Sequence, residues 1–175
     1  MVGAQETETI AVYWEPIIRT YGFTLFEGVG LHQIDLPTEE LASWAGVLQN
    51  VTHDEPGFRL VWCQRETPGP FTFFLVCHAE TWRLLQPMPA SGIDKGAGPS
   101  VTYSSADVIC FHGPHFGDRY GIMEFTYRAL AAGPVPLLGV VCSVASIYLV
   151  VPAGWVGQAQ ALLTAAFEIP KSVKE

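Results

Sequence analysis

No charged residue occurs from Ala129 to Phe167, and that block limits what this chain can fold into more than any other feature. A stretch so apolar is buried either in a protein core or in a bilayer. Pro134–Trp155 is long enough to cross a membrane. However, Pro134 and Pro136 stand at one end of it and Pro152-Ala-Gly154 at the other. Its centre, Gly139–Val151, is rich in β-branched residues, and Val-Cys-Ser-Val-Ala-Ser within it reads as a turn between strands. No cluster of Lys or Arg flanks either end, as an inserted helix requires. The block therefore reads as two strands, Val135–Val141 and Ser146–Val151, and a helix from Trp155 to Phe167, with no membrane partner.

The remaining bulk properties narrow the class. A chain of 175 residues that is 49% hydrophobic and 15% charged has material for one ordinary core or for two small modules sharing one. Nine basic residues stand against 17 acidic ones, a net charge of −8, so the basic face that a nucleic-acid partner demands is missing. The N-terminus, Met1-Val-Gly-Ala-Gln-Glu-Thr-Glu-Thr, has neither the basic nor the apolar region of a signal peptide, and a cytoplasmic location is expected. Cys63, Cys77, Cys110 and Cys142 each fall in an apolar, strand-like run and are expected as reduced thiols. No CxxC pair occurs, which excludes a zinc ribbon or a thioredoxin-type redox pair.

Taken in order, Ile10, Val12 and Trp14 alternate like a short edge strand, and Phe23–Gln33 is a clearer strand in which Gly28 and Gly30 mark a bulge or a close backbone approach. Pro37-Thr-Glu-Glu opens a helix with Thr38 as N-cap, and Leu41, Trp44, Ala45 and Leu48 form its buried stripe. Phe58–Cys63 and Phe71–Cys77 are strands joined through a Pro-Gly turn, and Glu80–Leu85 is a short helix. Pro87–Ser100 is rich in Pro, Gly and Ser, so residues 87–104 are expected to link a module at 1–86 to a second at 105–175. The second half opens with the strand Asp107–His112, a glycine-punctuated loop Gly113–Gly121, and a helix from Ile122 to Ala132 that Gly133 ends at C′. Val156, Ala159, Leu163 and Phe167 share one face of the last helix. Each half thus reads strand, helix, strand, strand, helix, a repeat of element order and not of residues.

Several stretches of the second half carry a family likeness: the strand ending at Gly113, the loop into Gly121-Ile122, the helix close Tyr127-Arg-Ala-Leu-Ala-Ala-Gly133, the two strands that follow, and the final Gln160–Glu168. Together they resemble an ACT domain of the aspartokinase-type branch, the small βαββαβ ligand-binding module of amino-acid metabolism. Arg65–Val76 and the short helix after it are similar to the matching hairpin of tandem ACT proteins, including the cytosolic arginine sensors of the animal growth pathway. The resemblance implies an α+β protein of two ferredoxin-like βαββαβ modules, antiparallel sheets with helices on one face. The first half departs from the pattern, having no clear closing strand between Leu85 and the linker. Either Ile10–Trp14 supplies that strand or the two sheets exchange strands.

In the ACT family, effector amino acids bind where two modules meet, against the loop between first strand and first helix. The resemblance therefore implies a ligand site at Gly113, His115, Phe116, Gly117, Asp118, Arg119, Tyr120, Gly121 and Ile122. The chemistry of those residues agrees. A helix N-terminus offers unpaired N–H donors and partial positive charge to a carboxylate. Gly117 and Gly121 let backbone approach a ligand, Asp118 suits an ammonium group, and Arg119 suits a carboxylate. The plainer reading is a strand-to-helix turn with Asp118 as N-cap and Arg119 in solvent. Pro114-His-Phe116 replaces the small residue common in the family after the strand glycine, so ligand identity does not carry over.

Other chemistries find no support in the sequence. His112-x-x-His115 with Cys110 and Asp118 nearby lacks the fixed geometry of a helical His pair, and no metal is expected. No nucleophile elbow, Walker A loop or G-x-G-x-x-G occurs, so neither a cofactor nor an enzyme activity is expected. Trp44, Trp62, Trp82 and Trp155 sit at core positions. The reading is a stand-alone tandem ACT-like protein that binds a small metabolite, with an amino acid as the expected class, as a regulatory or sensor module and as a homodimer. The alternative is a non-catalytic dimerisation or protein-interaction module with no ligand. A small enzyme with an unrecognised site is a third, weaker reading.

Overall fold

Two fourteen-residue strands, β1 (Phe23–Leu36) and β4 (Pro99–His112), run antiparallel along their whole length, from Phe23 opposite Phe111 to Ile34 opposite Pro99. A computed structural model describes residues 17–51, 57–65, 67, 69–85 and 99–169 of the chain. Four shorter strands complete one antiparallel sheet of order β2-β3-β1-β4-β6-β5, with β2 at Phe58–Arg65, β3 at Phe71–Cys77, β5 at Gly139–Cys142 and β6 at Ser146–Pro152. The helices are α1 (Leu41–Val51), α2 (Ala79–Leu85), α3 (Ile122–Leu130) and α4 (Val156–Ala166). The expected element order therefore holds in both halves.

Sharing of the two long strands is what makes this one sheet and not two. β3 pairs with β1 only along its second part, Gly30–Leu36, and β6 with β4 only along its second part, Ala106–His112. The first part of β1 lies beside the second part of β4, and the first part of β4 beside the second part of β1. Each half of the sheet is thus closed by the other half's strand, the exchange posed above as one of two possibilities. Ile10–Trp14, the other, lies outside the described residues.

Side-chain alternation sorts these strands into an inner and an outer face. The inner face carries Val29, Leu31, Val76, Ala106, Val108 and Val150, all buried. Phe26 and Val29 both point inward although three positions apart, because the irregularity between them adds a residue to β1. Gly28 makes that irregularity with φ of 68° and donates its N–H to the buried Asp107 carboxylate (3.1 Å). The other oxygen of Asp107 accepts from Gly154 N–H (3.0 Å), at φ of 86° in the turn after β6. One carboxylate thereby fixes two left-handed turns that few other residues adopt. The sheet bends so far that Trp62, on edge strand β2, reaches Gly139 on the opposite edge strand β5; a Cβ there would stand 3.1 Å from the indole. All four helices pack outside. α1 and α2 cover Ile34, Leu36 and Leu75, while α3 and α4 cover Ile109, Phe111, Ile147, Leu149 and Val151.

Several boundaries differ from expectation for local reasons. Thr38 caps nothing: residues Thr38–Glu40 form a 3-10 turn without a side-chain cap, and α1 begins only at Leu41. β5 is confined to Gly139–Cys142, since Pro136 has no N–H for the ladder and Leu138 makes the first bond, to Val150 O (2.8 Å). β4 begins at Pro99, so residues 99–104 of the expected linker are already strand. Gly133 is not the residue after the C-cap, which is Ala131; a Cβ there would lie 2.8 Å from the Leu162 side-chain tip of α4, so that side chain would have to shift.

Candidate functional site

The loop from Gly113 to Gly121 leaves β4 and turns back into α3, and three contacts hold it to distant parts of the chain. At Gly113 a Cβ would lie 2.2 Å from the carbonyl oxygen of Arg19, so only glycine lets the loop seat on the 17–21 segment. At Gly117 a Cβ would lie 3.2 Å from Val144 O, in the turn between β5 and β6. Arg119 donates to Ile17 O (3.4 Å). The 17–21 segment is itself firmly held. Tyr21 N–H and the buried Thr20 hydroxyl both donate to His112 O (2.9 and 2.7 Å), and Thr20 N–H donates to Glu168 O (2.9 Å). Glu168 N–H donates to Ile18 O (3.0 Å) and its carboxylate pairs with Arg19 (3.2 Å).

Within the loop the expected residues divide into anchors and open groups. Phe116 and Ile122 are anchors: both side chains are buried, and the Phe116 ring meets Phe111 edge-on at 6.0 Å and lies 6.5 Å from Phe167. Tyr120 is 99% exposed and faces solvent. His115 adopts φ of 62°, and its carbonyl accepts from Asp118 N–H (3.1 Å) while its Nδ1 lies 3.9 Å from the Asp118 carboxylate. Asp118 is thus not the cap of α3. Gly121 holds that position at φ of 85°, and no side chain caps the helix. Phe125 N–H bonds back to Gly121 O (2.9 Å), so the ladder of α3 starts there and the N–H groups ahead of it have no acceptor within the helix. Glu124, in that first turn, is paired with Arg128.

This arrangement offers N–H donors and the positive end of a helix dipole beside an exposed carboxylate and an imidazole. Both signs of charge are thereby presented on one surface. Reactive thiols are not part of it: burial raises the Cys110 thiol, partly offset by the Tyr148 hydroxyl, and pushes Cys77 up to about 12. Among the described residues no group of three or more His, Cys, Asp or Glu is placed to hold a metal ion, and His112 instead packs on Tyr21 at 5.3 Å. No described helix is long and apolar enough to cross a membrane. The sequence reading missed Ile17–Tyr21 and Val144, which wall the loop from remote segments and carry no motif; only Gly113 and Gly117, small where backbone presses close, hinted at them.

The geometry of the whole chain has counterparts among solved structures. The regulatory subunit of aspartate kinase from Thermus thermophilus, in its ligand-free form, superposes with a TM-score of 0.66 at 13% identity, over 85% of this chain and 99% of that one. The corresponding subunit from Thermus flavus gives 0.67 at 15% identity, over 86% and 99%. The fold is that of the aspartate kinase regulatory subunits. Aspartate kinase from Synechocystis gives 0.69 at 17% identity, over 92% of this chain but only 29% of that larger enzyme. No protein-family model matches the chain, and no curated protein matches it. The likeness to aspartokinase-type ACT regulatory modules, first drawn from residues of the second half, therefore extends in fold to nearly the full length of those subunits.

Proposed function

We propose that this protein is a non-catalytic ACT-type regulatory module that binds a free amino acid at the loop 113–121 and the N-terminus of α3. The observation that carries the reading is the uncapped start of α3, opened by Gly121 in a left-handed conformation next to the exposed carboxylate of Asp118. The α-carboxylate takes the helix donors, and the α-ammonium faces Asp118 and His115. The two halves of the chain act as two ferredoxin-like modules joined through the shared strands β1 and β4, with the second module starting at Pro99 and not at residue 105. Four free cysteines suit a cytoplasmic protein.

A second copy covers the same end of the molecule. Ile17, Tyr21, Tyr120 and Val144 are 50%, 63%, 99% and 84% exposed, an unusual density of apolar surface around one loop. That patch also favours the alternative, a dimerisation module with no ligand. Thermal unfolding with each standard amino acid in turn separates the two. At a hundred times its Kd a ligand adds about 2.7 kcal/mol, a rise in Tm of about 5–10 °C for a chain of this size. The rise should disappear in Asp118→Ala. No rise with any amino acid would overturn the binding reading and leave the dimerisation reading.

A further inference from the structure

A cavity of about 270 Å³ lies between α1 and the outer face of β1 and β3, away from the loop described above. Ile34, Leu36, Phe73 and Leu75 form its floor, and Leu41, Trp44, Ala45 and Leu48 of α1 form its roof. Floor and roof differ in a telling way. Ile34, Leu36 and Leu75 are buried, whereas of the stripe expected to be buried on α1, Leu41, Trp44 and Leu48 are only half-buried and Ala45 is exposed. In the other half, by contrast, α4 seats Val156, Ala159 and Leu163 fully against its sheet. α1 stands off its sheet, and protein interiors do not normally leave such room unfilled.

We propose that this cavity is a second binding site, for a small neutral aromatic or alkyl-aromatic molecule. The lining settles the class. The one polar side-chain atom among the lining residues is the indole N–H of Trp44, so a charged or zwitterionic guest would lose its water without a partner. A free amino acid therefore belongs at the loop and not here. Volume sets the size: an apolar cavity of about 150 Å³ stays dry and takes benzene, so this one suits a fused bicycle or a ring with a short alkyl chain. A guest of that kind brings the half-exposed stripe of α1 into contact on its inner side, which couples occupancy to the seating of that helix.

Indole and n-butylbenzene are the probes, added to the full chain during thermal unfolding and, with ¹⁵N-labelled protein, during amide NMR titration. Both should raise Tm by several degrees, and the amide shifts should concentrate in residues 34–36, 41–49 and 73–75. Ala45→Phe, which fills the roof, should abolish the response, while Asp118→Ala should leave it intact. A response unchanged in Ala45→Phe would overturn the site. Should Ala45→Phe not fold, the shift map of the unaltered chain decides alone: perturbations elsewhere, or none up to the solubility limit of either probe, overturn it equally.

Discussion

Acid should weaken this protein through one histidine. His32 sits on β1, only 3% exposed, with its ring stacked on Trp82 at 3.7 Å and 6° and its Nδ1 without a hydrogen-bond partner. Burial favours the neutral ring and lowers its pKa to about 4 from 6.5. In the unfolded chain the same ring takes its proton near 6.5. Between those values the unfolded state binds more protons, so stability is intact above pH 6.5, falls as pH drops, and has lost the full contribution below about 4. At 1.36 kcal/mol per pH unit the whole interval is worth about 3 kcal/mol, a large share of a typical domain's 5–15. His32→Phe keeps the stack on Trp82 and removes the titrating group. Urea unfolding of both proteins from pH 8 to 4 cancels the carboxylates they have in common. The difference between them should move in favour of the variant by about 3 kcal/mol over that range, mostly below pH 6.5. A difference independent of pH would refute the reasoning, because it would mean the ring accepts its proton equally well in both states.

Three further outcomes follow from the packing. Asp107→Ala should cost about 3 kcal/mol in chemical denaturation, since it strips both Gly28 and Gly154 N–H groups of a buried charged acceptor. Gly139→Val should cost about 1–3 kcal/mol by pressing on Trp62, and a double-mutant cycle with Trp62→Ala should recover most of it; independent costs would mean the sheet edges do not meet. With a thiol reagent at pH 8, the exposed Cys63 and Cys142 should react first, and Cys77, buried and held protonated, only on unfolding.

How far the sequence reached depends on how local each signal was. β3 is bounded as its run of Phe and Val predicts, and the buried face of α4 is the one its spacing predicts. These elements carry their own periodicity. The first part of β4 does not: its Pro-Ser-Val-Thr-Tyr-Ser composition reads as linker, and it becomes strand because the second part of β1 leaves a ladder to be filled. Asp107 was legible only as the start of a strand, since its two partners come from a bulge and a turn far along the chain. At the candidate site, the glycines located the loop, but the roles within it did not follow from residue type. Phe116, expected at the ligand site, anchors the core, and Asp118, an apparent cap, lies beside His115.

Amide NMR of the ¹⁵N-labelled chain, titrated with each standard amino acid at millimolar concentration, tests the central claim most directly. The account predicts that at least one of them shifts Gly117, Asp118, Gly121 and Ile122 together and saturably, with the same shifts missing in Asp118→Ala. If no amino acid moves the amides of the loop 113–121, or if the shifts gather elsewhere, α3 does not open an amino-acid site.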